Sequence, residues 1–158
     1  MDASEKWGLP PAFQPVRFAI PDAAKTAVRS VLGANEPVIV SLTNDEELVA
    51  LVGTPGRIIS IRTQEMGVSA GNSQVKSFPW PGIFNLTLRP QPLIVSLVIE
   101  YRTSDNGKTV EIGRRAGLAK PKADTFAGFS REQGEAAFDA LTLLWRWKIE
   151  QLQQQGDA

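Results

Sequence analysis

The final segment of the chain, about 130–154, has the spacing of one long amphipathic helix and follows a series of short segments with a period of two. Ser130 can accept a hydrogen bond from a backbone N–H of the first turn, and Gln133 three residues later completes a capping box. Gly156 is a suitable stop. One long helix after many short strands predicts a curved sheet that the helix closes at one end.

Two groups of apolar residues project from different sides of this predicted helix. The main stripe recurs at about 100° per residue and is expected to face the sheet. Its members are Ala137, Phe138, Leu141, Leu144, Trp145, Ile149 and Leu152. The second group is Ala136, Ala140, Leu143 and Trp147. It indicates either a helix buried on two sides of one subunit or an exposed apolar patch that receives a second subunit or another protein.

Size and composition restrict the class of protein. A chain of 158 residues suits a single domain with its own core. Its 17 basic and 17 acidic residues balance, which gives no support to nucleic-acid binding over the whole surface. The sequence contains no cysteine and no histidine, which excludes disulfides, thiolate nucleophiles, histidine acid–base catalysis and the common zinc and haem sites. This composition leaves a serine–lysine hydrolase open, but no strained nucleophile turn is evident, so we expect a protein without a cofactor and without enzymatic activity.

Neither the N-terminal segment nor the longest apolar run has the pattern of an export or membrane-spanning segment. The N-terminus lacks a basic start followed by an apolar run. The longest apolar run, 93–99, is far below the roughly 20 residues that a spanning helix needs. The expected location is the cytoplasm.

The first 21 residues form a predicted extended arm, because four prolines in this segment exclude a helix. Trp7 and Phe13 give the arm aromatic side chains to bury. The arm is expected to lie on the domain's own surface, to be exchanged with a neighbouring subunit, or to be a disordered tail. After the arm, Asp22 is a suitable N-cap for a short helix over 22–33.

Between about 37 and 115 the apolar pattern has a period of two, which predicts antiparallel strands joined by short turns. The seven predicted strands are 38–42, 48–52, 57–63, 75–79, 83–89, 93–102 and 109–114. In the third strand, Ile59 and Ile61 alternate with Ser60 and Arg62. The dipeptide at 106–107 is Asn-Gly, which favours a type I′ turn before the seventh strand.

Two of these predicted strands have a clear apolar face. In the fifth strand, Phe84, Leu86 and Leu88 are predicted to face the same way. The sixth has the longest uninterrupted apolar face, which runs at alternate positions from Leu93 to Tyr101.

The connection over 113–128 is predicted to be irregular, and it is basic. Its cations are Arg114, Arg115, Lys120 and Lys122. Such a cluster is typical of a solvated loop that balances acidic residues elsewhere, and it also suits contact with an anionic lipid surface or an acidic protein.

The order of about seven strands and one C-terminal amphipathic helix resembles that of pleckstrin-homology-like (PH-like) domains. Two local motifs are similar to those of the bacterial PH-like family. The segment 57–59 is RII, which resembles an R-(I/L)-(I/L) strand after a turn. The segment 78–83 is FPWPGI, which resembles an F-P-(Y/W)-x-x-I junction between strands. The resemblance extends over about 35–152.

The resemblance implies a mostly β fold of the α+β class. The expected architecture is a seven-stranded antiparallel, partly open barrel that the C-terminal helix caps, with a short N-terminal helix in addition. It also implies one PH-like domain over 22–154, preceded by the arm over 1–21. In eukaryotic relatives a basic loop between the first two strands holds inositol phosphates. The corresponding loop here, 43–47, contains three carboxylates, which would repel a phosphate headgroup.

The expected function is that of a non-catalytic module for protein–protein contacts and self-association as a homo-oligomer. The alternative is a peripheral membrane module that uses the basic connection. The candidate partner surface consists of Trp147, Leu143, Ala140, Ala136, Trp7 and Phe13.

Overall fold

The structure, a computed structural model, describes residue 9 and residues 13–63, 73–103 and 120–156. Its helices are α1 (Asp22–Val31) and α2 (Arg131–Gly156). Its strands are β1 (Val16–Arg17), β2 (Val40–Thr43), β3 (Val49–Gly53), β4 (Arg57–Thr63), β5 (Ser73–Pro79), β6 (Ile83–Pro90), β7 (Ile94–Thr103) and β8 (Lys120–Ser130). A 3-10 turn, Trp80–Gly82, joins β5 to β6. The predicted strand 109–114 and its turn lie outside the described residues.

The described strands form two sheets, in the orders β1-β2-β3-β4-β5 and β6-β7-β8, that are not closed into a barrel. Neighbouring strands are antiparallel except β1 and β2, which are parallel with Val16 opposite Val40. The prediction of a mostly β fold with a long C-terminal helix is confirmed. The finer prediction of seven strands, all antiparallel, in a partly open barrel is wrong, because the described residues contain eight strands in two separate sheets.

The main core lies between the two sheets and α2. Ala137, Leu141 and Leu144 of α2 are fully or almost fully buried in it. Phe138 and Trp145, which were also predicted to point inward, are half-buried and pack against the same core. The backbone N–H of Gln133 donates to Ser130 Oγ at 3.3 Å, so the predicted N-cap is confirmed.

A second core lies on the other face of the five-stranded sheet, where α1 covers it. Ala24 and Val28 of α1 pack against apolar side chains of β3 and β4, including Val52 and Ile59. Both faces of β3 and β4 are therefore buried, which explains why these strands are so rich in apolar residues. Among the described residues, neither helix is long and apolar enough to cross a membrane.

Helix α1 differs slightly from its prediction. It ends at Val31 instead of residue 33, because Leu32 already has an extended backbone with ψ of 138°. Pro21 occupies the N-cap position that was assigned to Asp22, and no side chain caps the first turn. Asp22 instead lies within that turn, where its negative charge interacts favourably with the positive end of the helix dipole.

The C-terminal part of the basic connection is a strand, so the prediction of irregular structure is wrong for 120–128. Strand β8 pairs antiparallel with β7 over its whole length, from Lys120 opposite Thr103 to Ser130 opposite Ile94. Its sequence is polar, and Pro121 interrupts the expected strand composition. The conformation of β8 is therefore determined by its pairing with the strongly apolar β7 and not by the local propensity of its own residues.

A β-bulge in β8 hides its apolar pattern. Two residues of β8 lie opposite Ser96 of β7, and one of them, Gly128, has φ of 86°, which glycine adopts without steric cost. Phe126 and Phe129 are three positions apart, so in a regular strand they would face opposite sides. The extra residue places both in the main core, where both are fully buried.

Strands β6 and β7 each differ from the predicted apolar face at one residue. Leu93 precedes β7 in a turn closed by the N–H of Gln91 donating to the Ile94 carbonyl at 2.9 Å, and it is 85% exposed. Phe84 lies at a register shift of β6, where it is exposed and has the Arg102 guanidinium 5.4 Å from its ring centroid. Neither side chain reaches the main core.

Candidate functional site

The junction motif at 78–83 forms the corner at which the chain passes from the first sheet to the second. Trp80 is fully buried, and its Nε1 donates to the Thr54 carbonyl at 2.9 Å. Phe78 packs edge-to-face against Tyr101 of β7 with ring centroids 4.9 Å apart. These contacts join β5, the β3–β4 turn and β7, so the motif is structural.

The motif at 57–59 supplies a second structural contact. The Arg57 guanidinium donates to both carboxylate oxygens of Glu36, Oε2 from Nε at 3.0 Å and Oε1 from Nη2 at 2.8 Å. Its Nη2 also donates to the carbonyl of Val31, the last residue of α1, at 2.6 Å. Thr54 Oγ1 donates to Glu36 Oε2 at 2.7 Å. The network fixes the end of α1 and the segment before β2 against the start of β4.

Glu36 predicts a specific loss of stability in acid. Burial opposes ionisation of its carboxyl, but hydrogen bonds from Arg57, Thr54 and the Gly33 N–H outweigh burial and lower its pKa from 4.5 to about 2. Because the pKa of Glu36 is lowered in the folded state, its carboxylate contributes stability that is complete above pH 4.5 and is lost as the pH falls towards 2. We expect Glu36→Gln to be less stable than the wild type at neutral pH and to lose this part of the acid dependence.

The measurement is the urea midpoint as a function of pH. Glu46→Gln, which changes an exposed carboxylate in the β2–β3 turn, is the matched control and should leave the profile unchanged. Parallel pH profiles for wild type and Glu36→Gln would contradict the role of this network.

The main candidate binding site is a polar cleft between the sheets. Ile58 of β4 faces the main core, so Ser60 and Arg62, which follow at alternate positions, lie on the same inner face. Together with β5 and β8 they bound a recess of about 240 Å³. We call it the inter-sheet cleft, and its lining residues are Ser60, Arg62, Gln74, Lys76 and Asp124.

Side chains hold the sheets together across the inter-sheet cleft. Lys76 Nζ of β5 donates to Asp124 Oδ2 of β8 at 2.7 Å and also to the hydroxyl of Tyr101. Burial would lower the pKa of Lys76, but the bonds to Asp124 and Tyr101 outweigh this and raise it. Arg62 Nη2 donates to the Thr125 carbonyl at 3.0 Å. Lys76 is therefore charged at neutral pH, and its ammonium group is already hydrogen-bonded to Asp124 and Tyr101.

A second recess lies between the arm and α2. It measures about 480 Å³ and is bounded mainly by apolar side chains. We call it the arm–helix groove, and its lining residues are Phe13, Gln14, Val16, Ala136, Asp139, Ala140 and Leu143. Phe13 and Val16 also pack against the main core, so the described part of the arm lies on the protein's own surface.

The arm–helix groove brings together four of the six residues of the predicted partner surface. Ala140 is buried, Phe13 and Ala136 are half-buried, and Leu143 is 54% exposed. Trp147 is half-buried against the main core, with Lys148 Nζ 5.7 Å from its ring centroid, and it does not line the groove. The remaining residue, Trp7, lies outside the described residues.

Only part of the predicted basic cluster is described. Lys122 is exposed on β8, where it pairs with Tyr101 of β7. Lys120 begins the same strand. Arg114 and Arg115 lie outside the described residues.

The acidic loop predicted at 43–47 is a tight turn that Asn44 organises. Asn44 Oδ1 accepts the N–H groups of Leu48 and Val49 at 2.9 and 3.1 Å. Its Nδ2 donates to the Ala127 carbonyl at 3.3 Å, which attaches the turn to β8. Asp45 is exposed beside it, so this turn presents negative charge to solvent. In the described part of the chain, no group of three or more acidic side chains is arranged to hold a metal ion.

No protein-family model matches the sequence, and no curated protein matches it. Among solved structures, the chain is similar to the pleckstrin homology domain from Shewanella amazonensis SB2B, with 18% sequence identity and a TM-score of 0.42. The match covers 68% of this chain and 77% of that chain. The order of elements, two mostly antiparallel sheets followed by one long helix that packs over the core between them, resembles that of PH-like domains.

Proposed function

We propose that this protein is a non-catalytic, PH-like binding module that contacts protein through the arm–helix groove, and that its partner is a second copy of the same chain. The supporting observation is the exposure of Leu143, 54%, at the edge of an apolar recess. In this proposal the domain over 22–154 and the arm over 1–21 each contribute one wall of the groove. The homo-oligomer acts in the cytoplasm without nucleic acid, which fits the balanced charge of the sequence.

Self-association is favoured because the same surface contains a projection and a recess. Leu143 projects, whereas Ala136 and Ala140, earlier on the same helix, have small side chains that leave space. In a two-fold dimer each patch meets its own copy, so a leucine and a recess on one surface complement each other. Complete burial of a leucine side chain contributes roughly 1.5–3 kcal/mol, which two copies supply twice.

The test is the molar mass in solution, measured by light scattering over a range of protein concentrations. We expect the wild type to be a dimer and Leu143→Glu to be monomeric, because the substitution places a charge in an apolar contact. Leu93→Glu is the matched control: Leu93 is 85% exposed in the β6–β7 turn, and its substitution should leave the mass unchanged. Leu143 is preferable to Trp147 as the site of change, because Trp147 packs against the main core. A monomeric wild type, or a Leu143→Glu dimer, would exclude the proposal.

The alternative function is contact with an anionic lipid surface through Arg114, Arg115, Lys120 and Lys122. The exposed position of Lys122 on β8 is compatible with it. The acidic β2–β3 turn opposes it, since exposed carboxylates repel an anionic surface.

A further inference from the structure

The inter-sheet cleft contains polar groups that lack a partner among the described residues. Ser60 is 2% exposed, and its hydroxyl makes no hydrogen bond with the described part of the chain. Gln74, on the neighbouring strand, likewise makes no side-chain hydrogen bond there. Among the described residues, the enclosed polar atoms without a partner are Thr142 Oγ1 and Trp145 Nε1. The Ser60 hydroxyl is not one of them, so its oxygen meets the open space of the cleft and is available as a donor.

Arg62 is the charge that the inter-sheet cleft leaves uncompensated. Its guanidinium lies 4.6 Å from the Phe126 ring centroid and donates to a neutral carbonyl. Within the described residues it forms no ion pair, whereas Lys76 and Asp124 pair with each other at 2.7 Å. Two cations and one carboxylate leave the lining with a net charge of one positive unit. The planar guanidinium presents N–H groups that can bind two oxygens of a carboxylate or phosphate at once.

We propose that the inter-sheet cleft binds a small oxyanion, the carboxylate or phosphate group of a compact ligand, with Arg62 and Ser60 as donors. A volume of about 240 Å³ accommodates such a group. Lys76 neutralises Asp124 across the recess, so the carboxylate does not repel the ligand at full strength. The site lies on the inner faces of β4, β5 and β8 and is distinct from the arm–helix groove.

The experiment is a titration of the full chain with inorganic phosphate and, separately, with acetate. Chemical shifts of backbone amides near Ser60 and Arg62 report binding at the site, and sodium chloride at equal ionic strength is the reference. We expect saturable shifts, and a dissociation constant about tenfold or more higher in Arg62→Gln, because a charge-assisted hydrogen bond is lost. Arg89→Gln, which removes an exposed charge from β6, is the matched control and should bind as the wild type does.

Ser60→Ala separates a binding role from a structural one. The hydroxyl has no partner in the described residues, so its removal should leave the unfolding temperature in phosphate-free buffer unchanged or raised. The increase of that temperature on adding phosphate should be smaller than in the wild type. A loss of stability without phosphate, together with an unchanged phosphate effect, would assign Ser60 to the fold and overturn its role as a donor.

The source of the oxyanion is distinguished by adding vesicles of neutral phospholipid with and without an anionic phospholipid. Binding of free phosphate or acetate that depends on Arg62 supports a soluble ligand. Binding to anionic vesicles alone, again dependent on Arg62, supports a lipid headgroup at the same site. Equal binding by wild type and Arg62→Gln, or no binding near Ser60 with phosphate, acetate or anionic vesicles, would overturn the proposal.

Discussion

Trp80→Ala is expected to destabilise the fold by about 3–5 kcal/mol, the range for truncating a fully buried aromatic side chain. The indole fills the corner between the two sheets and donates to the Thr54 carbonyl. Its removal leaves a cavity in the main core and a carbonyl without its side-chain donor. The free energy of unfolding in urea measures the effect.

Trp80→Phe separates packing from hydrogen bonding at the same position. It keeps an aromatic ring and removes the N–H donor. We expect it to destabilise the fold less than Trp80→Ala does, but more than the smaller ring alone would, because the Thr54 carbonyl loses its side-chain donor. Trp147→Ala, at a half-buried tryptophan of α2, is the control for loss of an indole outside the corner. If the three variants were equally stable, the corner would not be a principal support of the fold.

Gly134→Ala should destabilise the protein by about 1–3 kcal/mol, although alanine is ordinarily the better helix residue. A Cβ on Gly134 would lie 2.1 Å from Val95 Cγ2, far inside van der Waals contact. Val95 is fully buried in β7, so it has little room to move. The expected sign is therefore opposite to that of the same substitution on an exposed helix face.

Two comparisons make this prediction specific. At exposed Arg146 of α2, the pair Arg146→Gly and Arg146→Ala measures the ordinary preference, with alanine the more stable. In a double-mutant cycle, Val95→Ala should cost less in the Gly134→Ala background than alone, because it removes the clashing methyl group. A Gly134→Ala variant that is more stable than the wild type would refute the close approach of α2 to β7.

The sequence predicts the elements whose pattern depends only on neighbouring residues. The position of α2 follows from its helical period and from Ser130. The confirmed cap also depends only on nearby residues, because Ser130 and Gln133 are three positions apart. Most strands follow from their period of two. Strand β8 does not, because a bulge shifts Phe129 onto the face of Phe126 and polar residues fill the rest. Its conformation depends on β7, which is distant in sequence.

The inter-sheet cleft could not be located from the pattern, for a related reason. Alternation separates Ile59 and Ile61 from Ser60 and Arg62 correctly, but it does not say which side faces the main core. Helix α1 covers the isoleucines, so the polar pair lies on the inner face. The apolar side chains of α1, Ala24 and Val28 among them, are the signal that could have located this second buried face of the sheet.

Ser130 ends β8 and caps α2, so strand and helix meet without an intervening loop. Because no loop separates them, a shift of β8 along β7 would also displace the first turn of α2. Strand β8 lines the inter-sheet cleft and α2 lines the arm–helix groove, so one continuous segment of the chain connects the two recesses.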